Sequence, residues 1–105
     1  MKTLTLSLKR QWFDMIKSGE KKEEYREIKP HYEKRFLEPI SSRLFINGDT
    51  GVKPFDRLVF TLGYPKAGDT ERRLTFKNPK IRVGTGRSEW GAEPGKNYFV
   101  ITWEE

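Results

Sequence analysis

Residues 3–8 alternate polar and apolar side chains, Thr3-Leu4-Thr5-Leu6-Ser7-Leu8, which predicts a half-buried strand with its leucines inward. From about Arg10 to Ser18 the period changes. Trp12, Phe13 and Ile16 fall at helical spacing, Lys17 sits in the last turn, and Gly19 suits the left-handed position that ends a helix. The next stretch, Lys22 to Ile28, alternates again and places Lys22, Glu24 and Arg26 on one face, with Glu23, Tyr25 and Glu27 on the other. Pro30 fits the first turn of a second helix running to about Leu37. Tyr32 and Phe36 lie four apart on its inner side, and Pro39 stops it. Residues 40–52 carry no period, and Asn47-Gly48-Asp49-Thr50-Gly51 reads as a loop.

The second half reads as sheet. Leu58, Phe60 and Leu62 alternate between Asp56 and Tyr64, residues 65–69 form a turn, and Leu74 and Phe76 mark a returning strand over 71–77. Asn78-Pro79 interrupts that strand as a bulge or bend does, before Ile81 and Val83 resume the pattern. Residues 84–95 read as a Gly-rich loop, and Asn97 to Trp103 as the closing strand, with Trp103 in the core. Two helices near the front and five or six short strands predict a small mixed α+β barrel. No repeat, low-complexity segment or linker divides the 105 residues, so a single domain over 1–105 is expected.

Composition narrows the chemistry. There is no Cys and one His, so disulfides, thiolate zinc sites, Cys nucleophiles and His-rich metal centres fall away. No metal and no cofactor is expected. His31, just after Pro30, reads as an exposed or capping residue rather than a base. No Walker A loop, Gly-x-Ser-x-Gly elbow or Asp-x-Asp pair occurs, and Gly84-Thr85-Gly86-Arg87-Ser88-Glu89 has Glu where a dinucleotide fingerprint needs its third Gly. No apolar run approaches the ~20 residues that span a bilayer, so no membrane partner and a cytoplasmic location are expected.

The net charge is +6, and Arg72 to Arg87 holds six basic residues and no acid. Arg72, Arg73, Lys77, Lys80 and Arg82 form an electrostatic track for a polyanion if they share a face; otherwise they line a solvated strand. The segment with chemical interest is Gly19 to Arg26. A glycine turns the chain off the first helix, Lys21 sits at the turn's exit, and Glu24 and Arg26 project from one strand face. A lysine, a carboxylate and a guanidinium converging on one pocket bind phosphate, orient a base edge or shift the lysine's pKa; the same residues also suit a solvated strand laced with ion pairs.

Gly19, Lys21, Glu24 and Arg26 reproduce the Gly-x-Lys-x-x-Glu-x-Arg signature of ASCH domains, part of the PUA-like superfamily, and the chain resembles that family over nearly its whole length. Leu4-Thr5-Leu6 leading to Trp12-Phe13-Asp14-Met15-Ile16 resembles its first strand and helix, and residues 54–60 resemble a later strand, with Phe55 where Gly is usual. Glu89-Trp90-Gly91 and residues 95–101 resemble the closing loop and strand. The resemblance implies a PUA-like β-barrel of five or six strands with flanking helices, and a cleft facing the signature that binds RNA or a nucleotide. Protein partners are not named by it.

In that reading Lys21 and Arg26 take phosphate or base acceptors, Glu24 reads a donor edge or fixes Lys21, and Tyr32 and Arg35 line the same cleft. Trp90 is either a base-stacking platform or a plug over the barrel end, beside Glu89, whereas Trp12 reads as core. The alternative is a small hydrolase acting on N4-acetylcytidine or on RNA, with Lys21 as base and Glu24 or Glu89 as its partner. The amidohydrolase branch of the family has Thr at the position of Glu24, so an activated Thr nucleophile has no counterpart here.

Overall fold

The computed structural model describes residues 1–38 and 51–105; the predicted loop at 47–51 and the stop at Pro39 fall, but for Gly51, outside the described residues. The chain opens with β1 (Thr3–Leu8), whose three leucines are buried as the alternation requires, and passes into α1 (Arg10–Lys17), which buries Phe13 and Ile16. The strand β2 (Glu24–Glu27) is shorter than its alternating pattern, and Pro30 opens α2 (Pro30–Phe36). Then come β3 (Arg57–Leu62), β4 (Arg73–Thr85) and β5 (Asn97–Glu104).

These strands form one mixed five-stranded sheet in the order β1-β3-β4-β5-β2, with β1 parallel to β3 and every other pairing antiparallel. The α+β class is as expected; the closed barrel is not. The ladders leave β1 and β2 as the two edges. Side chains bridge those edges instead. Arg26 on β2 donates to the Ser7 carbonyl at 2.7 Å, and Arg35 on α2 donates to the Thr5 carbonyl at 2.7 Å. Two guanidinium groups thus satisfy main-chain acceptors of β1 that a sixth strand would otherwise pair.

One face of the sheet packs against the helices. Leu4 and Leu6 face Leu58 and Phe60 across β1 and β3, and Phe36 of α2 meets Phe99 edge-on at 5.3 Å between ring centres. Trp103 packs edge-on against Phe60 at 5.1 Å, beside the core rather than sealed within it.

The two predicted strands over 71–77 and 81–83 are one strand, β4, carrying a bulge. Between Lys77 and Lys80 the register against β5 advances three residues on β4 for two on its partner. Asn78 occupies the left-handed region (φ 48°) and its amide donates to the Asp56 carbonyl at 3.0 Å. Pro79 follows, where no ladder donor is needed. The bulge reverses the alternation: Thr75 and Lys77 point outward before it, and Lys80 and Arg82 point outward after it. A β-branched residue in the left-handed region costs ~1–2 kcal/mol. Asn78→Val is therefore expected to lose about that much stability in urea unfolding, while Asn78→Gly stays within ~0.5 kcal/mol of the parent.

Candidate functional site

The turn after α1 delivers Lys21. Gly19 takes a left-handed conformation (φ 86°), and the amide of Lys21 donates back to the Met15 carbonyl at 3.0 Å, folding the chain beneath the helix end. The Lys21 side chain is 2 % exposed and Glu24 is 5 % exposed. Lys21 Nζ lies 3.0 Å from Glu24 Oε1, donates to the Trp90 carbonyl and sits 4.3 Å from the centre of the Trp12 ring. Burial lowers the pKa of this ammonium below its ordinary value; Glu24 opposes the shift, and the nearby charge of Arg26 adds to it.

Glu24 is clamped from the other side by Arg26. Its Oε2 accepts from both Arg26 Nε at 3.0 Å and Nη2 at 2.8 Å, two charge-assisted bonds converging on one oxygen, while Oε1 faces Lys21. Arg26 also donates to the Tyr32 hydroxyl at 3.1 Å and to Ser7 O. The three side chains come together because Glu24 and Arg26 are two apart on one strand face, while the turn places Lys21 beneath them. The cluster carries two cations and one anion, and among the described residues no buried side-chain nitrogen or oxygen is left without a partner.

Above the cluster opens a cavity of about 450 Å³, within the size range of small-molecule sites. Glu24 and Arg26 line it together with the rings of Trp12, Tyr25, Tyr32 and Tyr98. Lys9, Lys29 and Lys96 contribute positive charge, with Glu27 and Glu93 between them. Lys21 does not line the cavity: it lies behind Glu24 and Trp12, so its part is to hold the carboxylate.

Residues 84–95 pack over this end of the sheet. The Tyr25 hydroxyl accepts the amide of Arg87 at 2.9 Å and donates to Glu23 at 2.7 Å, while the Tyr98 hydroxyl accepts the amide of Glu93 at 3.0 Å. A Cβ at Gly86 would lie 2.4 Å from the Tyr25 ring, and one at Gly91 (φ 102°) 2.9 Å from Trp12. These two positions let the loop lie flat on the aromatic walls. Burial, with the bond to Glu23 helping, pushes the Tyr25 phenol up to about 12.

The sequence-based site residues divide. Lys21, Glu24, Arg26 and Tyr32 converge, and Gly19 makes the turn that permits it. Arg35 bonds the edge of β1 instead. Glu89 is exposed, 3.9 Å from Arg87, and does not reach the cluster. Trp90 belongs to a single turn of 3-10 helix (Ser88–Trp90) and contributes its carbonyl rather than its ring, against which Arg87 stacks at 4.8 Å. The rings that meet both Lys21 and the cavity are those of Tyr25 and of Trp12, the latter also packed against the core as helical spacing predicts. Tyr98, Lys9, Lys29 and Lys96 carried no signal in the pattern, because sheet pairing and a helix start bring them to the mouth.

Among the described residues, no three His, Asp or Glu side chains come together as a metal ion would need. No helix there is long and apolar enough to cross a membrane. No known protein family matches the chain, and neither do any of the curated proteins or solved structures.

Neutralising Glu24 leaves buried Lys21 and half-buried Arg26 facing each other without their shared anion, so Glu24→Gln is expected to lose ~3–5 kcal/mol in urea unfolding. Lys21→Met keeps Arg26 on Glu24 Oε2 but takes the partner from Glu24 Oε1 and from the Trp90 carbonyl, for a smaller loss of ~1–3 kcal/mol because one cation still faces the carboxylate. A larger loss for Lys21→Met than for Glu24→Gln contradicts this ordering. The pH dependence has two opposed parts. Lys21 binds its proton less readily when folded, so its contribution recovers as pH rises toward 10.5. Tyr25 holds its proton more tightly when folded, so its contribution is full below pH 10.0 and is lost as pH rises to about 12. Tyr25→Phe is expected to flatten that alkaline loss in melting temperature and to remove from the ultraviolet titration the phenol that ionises at about 12.

Proposed function

We propose that the chain is an ASCH-type domain of the PUA-like class that binds a nucleotide unit, free or within RNA, in the cavity above Glu24. One observation carries the reading: a carboxylate held between two cations at the floor of an aromatic-walled cavity of nucleotide size. The signature at Gly19, Lys21, Glu24 and Arg26 supports it, as does the bridging of the open sheet edges, which approximates a PUA-like barrel with one unlaced seam.

The geometry redistributes the roles. Lys21 and Arg26 spend their hydrogen bonds on Glu24, Trp90, Tyr32 and Ser7, so neither is free to grip phosphate. The Glu24 carboxylate, with two donors on Oε2 and one on Oε1, has one acceptor site left for an N–H donor edge of a base. The rings of Trp12, Tyr32 and Tyr98 offer apolar walls on which a base stacks, worth ~1–3 kcal/mol per base. Phosphate falls to Lys9 and Lys29 at the mouth, neither of which has an ion-pair partner among the described residues.

Calorimetry with ribonucleoside monophosphates and their N-methylated forms tests this. UMP, whose N3–H can donate to Glu24, is expected to bind at least ~10-fold tighter than N3-methyl-UMP, and CMP tighter than N4,N4-dimethyl-CMP by the same factor, the worth of one hydrogen bond to a charged group. A Lys9→Ala/Lys29→Ala variant, which leaves the buried cluster alone, is expected to weaken nucleotides and not the parent nucleosides. No binding of any nucleotide at millimolar concentration, or equal affinity for the parent and N-methylated nucleotides, overturns the assignment. Hydrolysis of N4-acetylcytidine or of RNA that Lys21→Met abolishes moves the site to the enzyme reading instead.

A further inference from the structure

We infer a second nucleic-acid surface, separate from the cavity: the outer face of the sheet at the β1 start and β5 end, built to take the phosphate backbone of a duplex. The bulge at Asn78-Pro79 is what makes it. Regular alternation would put Lys77 and Lys80, three apart, on opposite faces. The one-residue slip puts both outward, opposite Glu104 and Thr102 of β5. On β3, Arg57 pairs in register with Lys77, and on β1 Thr3 pairs with Arg57. Arg57, Lys77 and Lys80 therefore stand on adjacent strands of one exposed face, with Thr75 and Thr102 beside them.

The basic run does not contribute as a whole. Arg72 pairs with Asp69 at 2.8 Å, Arg73 fastens the 65–69 turn through three of its carbonyls, and Arg82 pairs with Glu23 at 3.0 Å. Lys77 and Lys80 have no ion-pair partner among the described residues, and Arg57 bonds only the Thr3 hydroxyl at 3.2 Å. On the outward face of the paired strands at this end Glu104 is the one acid beside three cations, while Asp56, which accepts the Lys2 amide at 2.8 Å, and Glu105 flank that end from outside the paired positions.

The chemistry of the patch selects its occupant. Single strands bind proteins through stacking on aromatic platforms as well as through charge. The outward positions at this end are Thr, Arg, Lys, Val and Glu, while Phe76 and Trp103 point to the opposite face. Cations and threonine hydroxyls without rings read phosphate oxygens, not bases. A duplex shows phosphates on its outside and keeps its bases stacked, so it loses nothing on such a surface.

The test is binding of a labelled short blunt RNA duplex, followed by fluorescence anisotropy over a salt series. Arg57→Ala/Lys77→Ala/Lys80→Ala removes three phosphate contacts and is expected to reduce the log–log salt slope by about 2–3. At low salt it is expected to weaken binding at least ~10-fold. Lys17→Ala/Lys34→Ala/Lys66→Ala, which removes the same charge elsewhere, is expected to keep most of the slope. Glu104→Lys is expected to tighten binding, a gain that misfolding cannot mimic. Equal losses for the two triple variants, tighter binding of the matching single strand through the same three residues, or retention on phosphatidylserine vesicles without duplex binding overturn the inference. The Lys9→Ala/Lys29→Ala variant is expected to retain duplex binding, so failure here and failure of the cavity reading are separate results.

Discussion

A carboxylate buried between two cations sets the geometry of this end of the molecule. Lys21 and Glu24 are buried and Arg26 is half-buried, and stripping any one of these charges from its partners costs several kcal/mol. Each partner then fixes another piece of chain. Lys21 requires the turn at Gly19 and holds the loop through the Trp90 carbonyl; Arg26 reaches across to Ser7 on β1 and to Tyr32 on α2. Removing three charged groups from water costs several kcal/mol per ion before pairing, so an apolar cluster of similar volume would hold the same elements at no greater cost. What apolar packing would not supply is a charged acceptor at the base of a cavity. That difference is the physical ground for treating the cluster as functional rather than structural.

The elements legible in the sequence are mainly those whose environment is one-sided. β1, α1 and β3 bury mainly one face, and their apolar periods mark it without help from distant residues; β5 buries both faces over residues 98–101 and shows as a continuous apolar run. The signature was legible for the same reason: two residues apart on a strand is enough to place Glu24 beside Arg26. β4 was legible only in pieces. Asn78-Pro79 reads as an interruption whether the chain ends a strand there or slips by one residue, and only the pairing with β5 distinguishes the two. The faces of Lys77 and Lys80 depend on that slip, so the sequence could not state whether the basic run formed one surface.

Trp12 packs against the core as its spacing predicts and also lines the cavity, while Trp90 acts through its carbonyl, for a reason of the same kind. Helical spacing assigns Trp12 to the core beside Phe13, but one edge of the α1 stripe overhangs the open end of the sheet, where Lys21 and the cavity meet the ring. Gly91 carries no side chain, so the loop lies against Trp12 rather than covering it with its own aromatic. The Trp90 ring is left to Arg87 while its backbone does the binding. Residue type is visible in a sequence, but whether a residue acts through its ring or its carbonyl is decided by the contacts of the folded loop.

The seam between β1 and β2 joins these strands of argument. A sheet edge with unsatisfied carbonyls invites pairing with another chain, and here two arginines cover the β1 carbonyls of Thr5 and Ser7. One of the two, Arg26, is also the clamp on Glu24. Edge protection and site construction therefore draw on the same guanidinium: replacing Arg26 exposes a strand edge, unclamps the carboxylate and frees the Tyr32 hydroxyl at once. Loss of ligand binding in an Arg26 variant would say little about which of these mattered. The residues that separate function from architecture are those that line the mouth without joining the cluster, Lys9 and Lys29, and on the far face those that the bulge turns outward, Lys77 and Lys80. Both pairs project from the scaffold without holding it together, which is why their charges can be read as chemistry directed at a partner.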